Sequence, residues 1–115
     1  MLSNEKILSV VKDKLTEAGL PADEVVQQLH FGKDFSEPGI YVYSDNEKYY
    51  ITEVGFRGPE EGEHFYSNEN ELILVIIWNC VVTYIYKNKR FKPNAQQTAF
   101  DYLKKINAEY YEKMK

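Results

Sequence analysis

The chain has few of the residues on which disulfide-stapled or catalytic proteins depend. Its 115 residues include a single cysteine, Cys80, so no intrachain disulfide can form, although small secreted domains usually need one. The only imidazoles are His30 and His64, which leaves few candidates for a general base. We therefore expect a cytoplasmic protein that is not an enzyme.

Long apolar runs are also missing. The most apolar segment, residues 72–86, has fifteen residues, and as a helix it would extend roughly 22 Å, less than the roughly 30 Å hydrocarbon core. The N-terminus meets Asn4, Glu5 and Lys6 before any apolar stretch, unlike a secretory signal peptide. These patterns predict neither membrane insertion nor export by that route.

Metal-binding and phosphate-binding signatures are absent from the sequence. Glu60, Glu61 and Glu63 stand beside His64, but their spacing matches no zinc signature and no calcium loop. The glycines of residues 55–58 are not followed by the Lys-Ser/Thr pair of a phosphate-binding loop. We expect no metal and no cofactor.

The composition is that of one ordinary folded domain covering residues 1–115. Hydrophobic residues make up 43% and charged residues 28%, far from the signature of a disordered chain. Ten tyrosines and six phenylalanines are many for this length. Aromatic rings of this kind favour protein interfaces, although they also simply pack in cores.

The first thirty residues have helical periodicity. Ser3 can cap a first helix, Glu5 suits its positive end, and Gly19 ends it. Pro21 can begin a second, shorter helical stretch. The apolar positions recur at the spacing of one helical face: Ile7, Leu8, Val11, Leu15 and Ala18.

From Gly39 the period changes to that of strands. Tyr41 and Tyr43 fall on one side of an extended segment, and Ile40 and Val42 fall on the other. Residues 48–54 resume with strand-favouring side chains, so the two segments predict a β-hairpin. A third short strand near residues 63–66 completes a predicted antiparallel meander.

Two further helices follow. Residues 72–86 are ambiguous in composition, but their length favours a helix over a strand, and Asn68 with Glu71 resembles a capping box. One polar stripe would then run along it: Glu71, Asn79, Thr83 and Lys87. A last amphipathic helix begins after Pro93, with Asn94 and Gln97 as its capping pair. The expected fold is α+β: a three- to four-stranded antiparallel meander packed against N-terminal, central apolar and C-terminal helices.

Negative charge is concentrated in residues 45–71. This segment holds eight acidic residues against Lys48 and Arg57. A surface of this kind repels nucleic acid and steers basic protein partners, although it can also serve only to keep a domain in solution.

The order of these pieces resembles the small α+β immunity proteins of bacterial polymorphic-toxin systems. There, a tyrosine-rich hairpin leads to an Arg-Gly turn, an acidic stretch, an apolar Trp-containing helix and a closing amphipathic helix. The resemblance covers residues 39–110. The residues that carry it are Tyr41-Val42-Tyr43-Ser44-Asp45, Tyr49-Tyr50, Arg57-Gly58, Glu71-Leu72-Ile73 and Trp78.

The resemblance implies a protein that neutralises a cognate toxin in the producing cell by occluding its active site or a nearby surface. The partner would be a toxin with a basic surface, with no nucleic acid and no membrane involved; the sequence leaves the oligomeric state open. Loops on a rigid sheet are where recognition residues usually lie. The expected partner-binding residues are Glu53, Arg57, Glu60, Glu61, Glu63 and Tyr66.

Two alternatives remain open from the sequence. A cytoplasmic regulatory or adaptor module could use the same acidic, aromatic surface, and its gene would not lie just downstream of a large secreted toxin gene. A small enzyme could use His64 with Glu61 or Glu63, in which case replacing His64 with alanine would abolish its function.

Overall fold

The computed structural model describes residues 3–45, 48–55, 58–59, 64–66, 68–88, 91 and 93–114. Helices precede and follow a central group of strands. In chain order the elements are α1 (Asn4–Glu17), α2 (Ala22–Val25), a 3₁₀ turn (Val26–Gln28), β1 (Leu29–Phe31), β2 (Gly39–Asp45), β3 (Lys48–Gly55), β4 (Gly58–Pro59), β5 (His64–Tyr66), α3 (Glu69–Lys87), α4 (Ala95–Ile106) and α5 (Ala108–Met114). The α+β class is confirmed.

The sheet is mixed, so the predicted antiparallel meander is wrong. β2 and β3 form the expected antiparallel hairpin, in which Gly39 faces Val54. However, β1 lies on the other side of β2 and runs parallel to it, with Leu29 opposite Ile40. Three strands, β1 to β3, form the body of the sheet, while β4 and β5 add short antiparallel pairings to β3.

Each face of the sheet buries a different set of side chains. Ile40 and Val42 point into the main core beneath the helices, as the alternation predicts. Tyr41 and Tyr43 are also buried, at 1% and 7% exposure, but outside that core. The loop of residues 32–38, which joins β1 to β2, covers this second face, since Phe35 contacts both tyrosine rings edge-on.

The helical interpretation of the apolar segment is confirmed. α3 begins after Asn68, whose side-chain Oδ1 accepts hydrogen bonds from the backbone N–H groups of Asn70 and Glu71. This is the Asn68 half of the expected capping box, and it satisfies amides that have no partner within the helix. The side chains that α3 buries completely fill the centre of the core: Leu72, Ile76, Ile77, Cys80 and Ile85.

α3 is longer than the sequence predicted. It has nineteen residues instead of fifteen, which corresponds to about 28 Å. Among the described residues it is the one helix whose length and hydropathy would fit a membrane span, but the core helix of a folded domain passes the same test. Length alone therefore does not distinguish these two roles for α3.

The remaining helices close the core from the outside. Ser3 caps α1 by accepting from the N–H of Lys6, and α1 buries Ile7, Val11 and Leu15, as expected. The predicted C-terminal helix is divided at Asn107, whose extended backbone ends α4 and whose side chain accepts from the N–H of Tyr110 at the start of α5.

The expected capping pair at the start of α4 is wrong. Asn94 precedes the helix, but its side chain makes no capping hydrogen bond. Gln97 instead donates to Asp101, one turn further along the same helix, at 2.9 Å.

Candidate functional site

A groove of about 480 Å³ lies between the C-terminal half of α3, the first residues of β2 and the last residues of β3. Its apolar lining includes Ile40 and Val54, which are nearly buried at 4% and 6% exposure. Polar side chains from three separate segments complete it: Gln28, Glu53, Asn79, Thr83 and Lys87. An apolar floor with a few convergent polar groups is the usual composition of a binding site.

The wall that α3 contributes is the polar stripe that the sequence indicates. Asn79, Thr83 and Lys87 recur every four residues, so they lie above one another on one helix face. The Asn79 side-chain NH₂ donates to the carbonyl of Val75 at 2.9 Å, which fixes the orientation of the amide. The stripe is therefore an ordered wall with polar groups at regular intervals.

The opposite wall carries the acidic residue of the site. Glu53 is exposed and sits near the end of β3, opposite Ile40 in the register. Its strand is held by β2 on one side and by β4 and β5 on the other. The backbone that carries this carboxylate is therefore held in place by its neighbours, as is usual for residues that take part in recognition.

A second groove, of about 530 Å³, lies beside the first, on an adjacent side of α3. Gln28 and Lys87 line both grooves, so the two are neighbours. The new lining comes from Glu24 and Gln27 near α2 and from Tyr84 on α3; the Tyr84 hydroxyl lies 3.5 Å from the Glu24 carboxylate. We call the two grooves together the α3 channel.

The described polar lining of the α3 channel consists of carboxylates, amides, hydroxyls and one ammonium group. None of the described residues that line it is a histidine or a cysteine. Cys80 belongs to the core instead, where burial raises the pKa of its thiol to about 12, so the reactive thiolate is disfavoured at neutral pH. Within the described parts of the chain, no three His, Cys, Asp or Glu side chains gather as metal ligands would.

The structure locates two of the six expected partner-binding residues. Glu53 lines the α3 channel, whereas Tyr66 lies on β5, opposite Tyr49 of β3. Tyr49 precedes Glu53 by four residues, so Tyr66 and Glu53 are separated by roughly 13 Å along β3. Burial and the nearby charge of Glu71 raise the pKa of Tyr66. The other four expected residues lie outside the described residues: Arg57, Glu60, Glu61 and Glu63. The enzyme alternative requires Glu61 or Glu63, and both of these residues also lie outside the described residues.

Sequence reasoning missed the other wall of the channel. Gln28 and Glu24 come from the stretch predicted to form a second, shorter helix, and no local pattern marks them as neighbours of Lys87. The polar stripe on α3 was the signal that was available. It identified Asn79, Thr83 and Lys87 as one face but not what that face borders.

A cluster of rings on the helix-free face of the sheet was also missed. His30 stacks on Tyr41 with ring centres 4.8 Å apart, and Tyr43 stacks on Tyr50 at 5.4 Å. Phe35 closes the cluster from above, in the left-handed backbone region with φ of 48°, which is rare for a bulky side chain. The loop of residues 32–38 is thus anchored to the sheet by its central ring.

Comparison with known proteins does not add to these observations: no family model matches the chain, and no curated protein or solved structure is significantly similar to it.

Proposed function

We propose that the chain binds and neutralises a cognate bacterial toxin in the cytoplasm of the producing cell, by covering the toxin's active site or a surface beside it. The resemblance of residues 39–110 to immunity proteins supplies the partner class. The observation that carries the binding role is the α3 channel at Glu53, a concave surface lined by amides and charges but, in its described part, by no imidazole or thiol.

Charge supports a basic partner. The whole chain has a formal net charge of −4, and residues 45–71 hold eight of its eighteen acidic residues. Glu53 belongs to this acidic segment and also lines the channel. Long-range attraction would draw a basic toxin surface towards the molecule, and the channel would supply short-range contacts. Asp45 and Glu69 lie at the other end of the hairpin, where Asp45 is opposite Lys48 and the Glu69 carboxylate accepts from the Tyr49 hydroxyl.

Neutralisation by occlusion also needs a rigid binding surface, because ordering a flexible one costs free energy on association. The hairpin of β2 and β3 is paired along its whole length from Gly39–Val54 to Asp45–Lys48. α3 is fixed to the core by five completely buried side chains. The two walls of the channel are therefore parts of one packed framework.

The test is co-expression with the product of the gene directly upstream, followed by co-purification and a growth assay. We expect a stable complex and rescue of growth. Charge reversal of Glu60, Glu61 and Glu63 to lysine should slow association by about tenfold or more and flatten its salt dependence. The matched control reverses three exposed acids on α1 and α5: Asp13, Glu17 and Glu109.

Equal association rates for the two triple variants would contradict the role of the acidic segment. Failure of the upstream product to bind, together with a chain that does not protect cells from it, would overturn the proposed function itself.

A further inference from the structure

The loop of residues 32–38 is held on the sheet mainly by side chains. Gly32, where the loop leaves β1, donates its backbone N–H to a carbonyl of β2 at 2.9 Å. Beyond it, no backbone-to-backbone hydrogen bond joins residues 33–37 to any other residue that the structure describes. The Glu37 carboxylate lies 3.4 Å from Nε2 of His30, but it is largely exposed, so this ion pair contributes little. A segment without a backbone ladder loses few hydrogen bonds when it separates from its neighbours.

The remaining contacts that close the loop end on two tyrosines of β2. The Phe35 ring meets the rings of Tyr41 and Tyr43 edge-on, with ring centres 5.1 Å and 6.2 Å away. The Lys33 ammonium group lies over the Tyr43 ring, 4.9 Å from its centre. The Tyr41 hydroxyl is hydrogen bonded to both backbone groups of Glu37. Because these contacts are few and close together, they can be broken in one step.

The backbone of Phe35 is strained while the loop is closed. Its φ of 48° lies in the left-handed region, which is unfavourable for L residues and rare for a bulky side chain. The edge-on contacts of the Phe35 ring offset this strain, since such aromatic pairs attract each other. Opening the loop loses the ring contacts but relaxes the backbone, so the two effects oppose each other.

Opening of the loop leaves the rest of the fold in place. Gly32 can act as a hinge, because its φ of 122° suits only glycine and no atom lies within 4 Å of the position that a Cβ would take. Tyr41 and Tyr43 are buried but lie outside the main core. Tyr43 stacks on Tyr50 of the same hairpin, a contact that does not involve the loop. The hairpin and the core beneath it therefore keep their own contacts when the loop moves.

We propose that the loop of residues 32–38 is a lid that opens from the sheet without unfolding the core, and that Phe35 is the side chain that holds it closed. The open lid exposes the rings of Tyr41 and Tyr43 on the face of the sheet opposite the helices. The inference is independent of the proposed function, because it names no partner and needs no contact with one.

The experiment is native-state hydrogen exchange of the full chain, followed by NMR at constant pH. The Glu37 amide reports the lid, because its hydrogen bond to the Tyr41 hydroxyl breaks on opening. The Ile51 amide reports the sheet, since β3 is paired on both sides. We expect the Glu37 amide to be protected about a hundredfold relative to an unstructured peptide, and to exchange at least about a hundredfold faster than the Ile51 amide.

Two substitutions at Phe35 test its role. Phe35→Ala removes the ring and keeps the strained backbone, so the Glu37 amide should exchange about five- to thirtyfold faster than in the native chain. Phe35→Gly also removes the ring but tolerates the left-handed conformation, so exchange should be about three- to tenfold slower than in Phe35→Ala. Residue 35 is not adjacent to Glu37, so the intrinsic exchange rate of this amide is the same in all three proteins.

Phe100→Ala is the matched control. Phe100 also contacts two rings, those of Trp78 and Tyr111, but it lies on α4. Its loss destabilises the open and closed forms of the lid equally, so the Ile51 amide should exchange about tenfold faster or more while the Glu37 amide keeps its rate.

Four results would overturn the inference. The Glu37 amide could be unprotected in the native chain, or it could exchange as slowly as the Ile51 amide. Phe100→Ala could accelerate both amides by the same factor, which would mean that the loop opens only when the whole chain unfolds. Finally, exchange in Phe35→Gly could be as fast as in Phe35→Ala, which would show that no backbone strain opposes the closed lid.

Discussion

The hydroxyl of Tyr41 accepts a hydrogen bond from the backbone N–H of Glu37 at 3.1 Å and donates one to the carbonyl of the same residue at 2.8 Å. One side chain on a central strand thus satisfies both backbone groups of a loop residue. Because Tyr41 is almost completely buried, the loop of residues 32–38 is tied to the sheet instead of lying loosely over it.

The first prediction concerns these two hydrogen bonds between Tyr41 and Glu37. Tyr41→Phe removes the hydroxyl and leaves both backbone groups of Glu37 without that partner, so we expect a loss of about 1–3 kcal/mol in the free energy of unfolding. Urea denaturation followed by circular dichroism measures it. Tyr50→Phe, in the same ring cluster, is the control and should change stability by less than about 0.5 kcal/mol. Similar losses in both variants would show that the two hydrogen bonds between Tyr41 and Glu37 do not contribute to the free energy of unfolding.

A second prediction rests on the start of β2. A Cβ at Gly39 would lie 2.7 Å from the backbone oxygen of Gln28 and 2.7 Å from the His30 ring, closer than atoms of these types approach. Gly39→Ala must therefore push β1 away from β2, at a cost of about 1–3 kcal/mol or more. Gly19→Ala meets no atom within 4 Å and strains only its left-handed backbone, at about 1–2 kcal/mol. Thermal unfolding should rank Gly39→Ala as the more damaging change, and the reverse order would refute this account.

The elements that sequence predicts are those whose signals are local. The helix from Asn4 to Glu17, the β2–β3 hairpin and α3 each follow from a cap, a period or a length within one segment. β1 gave no such signal, because three residues are too few to show a period of two. Its parallel pairing with β2 depends on the loop that crosses the second face, which no local rule indicates.

The candidate site likewise combines residues whose proximity the sequence predicts with residues whose proximity it does not. Asn79, Thr83 and Lys87 are one helix face, so their proximity follows from their spacing. Gln28 and Glu53 join them only through the tertiary fold, across separations of more than twenty residues in sequence. Single-sequence periodicity carries no information on contacts of that range, and the channel therefore appears only in three dimensions.

The third prediction compares the two expected helix caps. Asn68→Ala removes the oxygen that accepts from the N–H groups of Asn70 and Glu71, and we expect a loss of about 1 kcal/mol. Asn94 occupies the equivalent position before α4 but makes no side-chain cap, so Asn94→Ala should cost much less. Urea denaturation of the two variants measures the difference. Equal losses would mean that capping does not explain the stability of α3.

The last prediction is a pH dependence from Cys80. Burial raises the pKa of this thiol from 9.0 to about 12, so the unfolded chain loses the proton first as the pH rises. The contribution to stability is therefore fully present below pH 9 and is lost as the pH rises from about 9 towards 12, with a slope of at most about 1.4 kcal/mol per pH unit.

Cys80→Ala isolates this effect from the titration of tyrosines and lysines over the same range, because those groups are common to both proteins. The variant should be less stable at pH 7 by about 1–2 kcal/mol, since it leaves a small cavity among the buried side chains of α3. That difference should shrink between pH 9 and pH 10.5 in urea denaturation, because only the native chain carries the thiol penalty. A constant difference across this range would show that the thiol ionises as readily in the folded protein as in the unfolded chain, which its complete burial argues against.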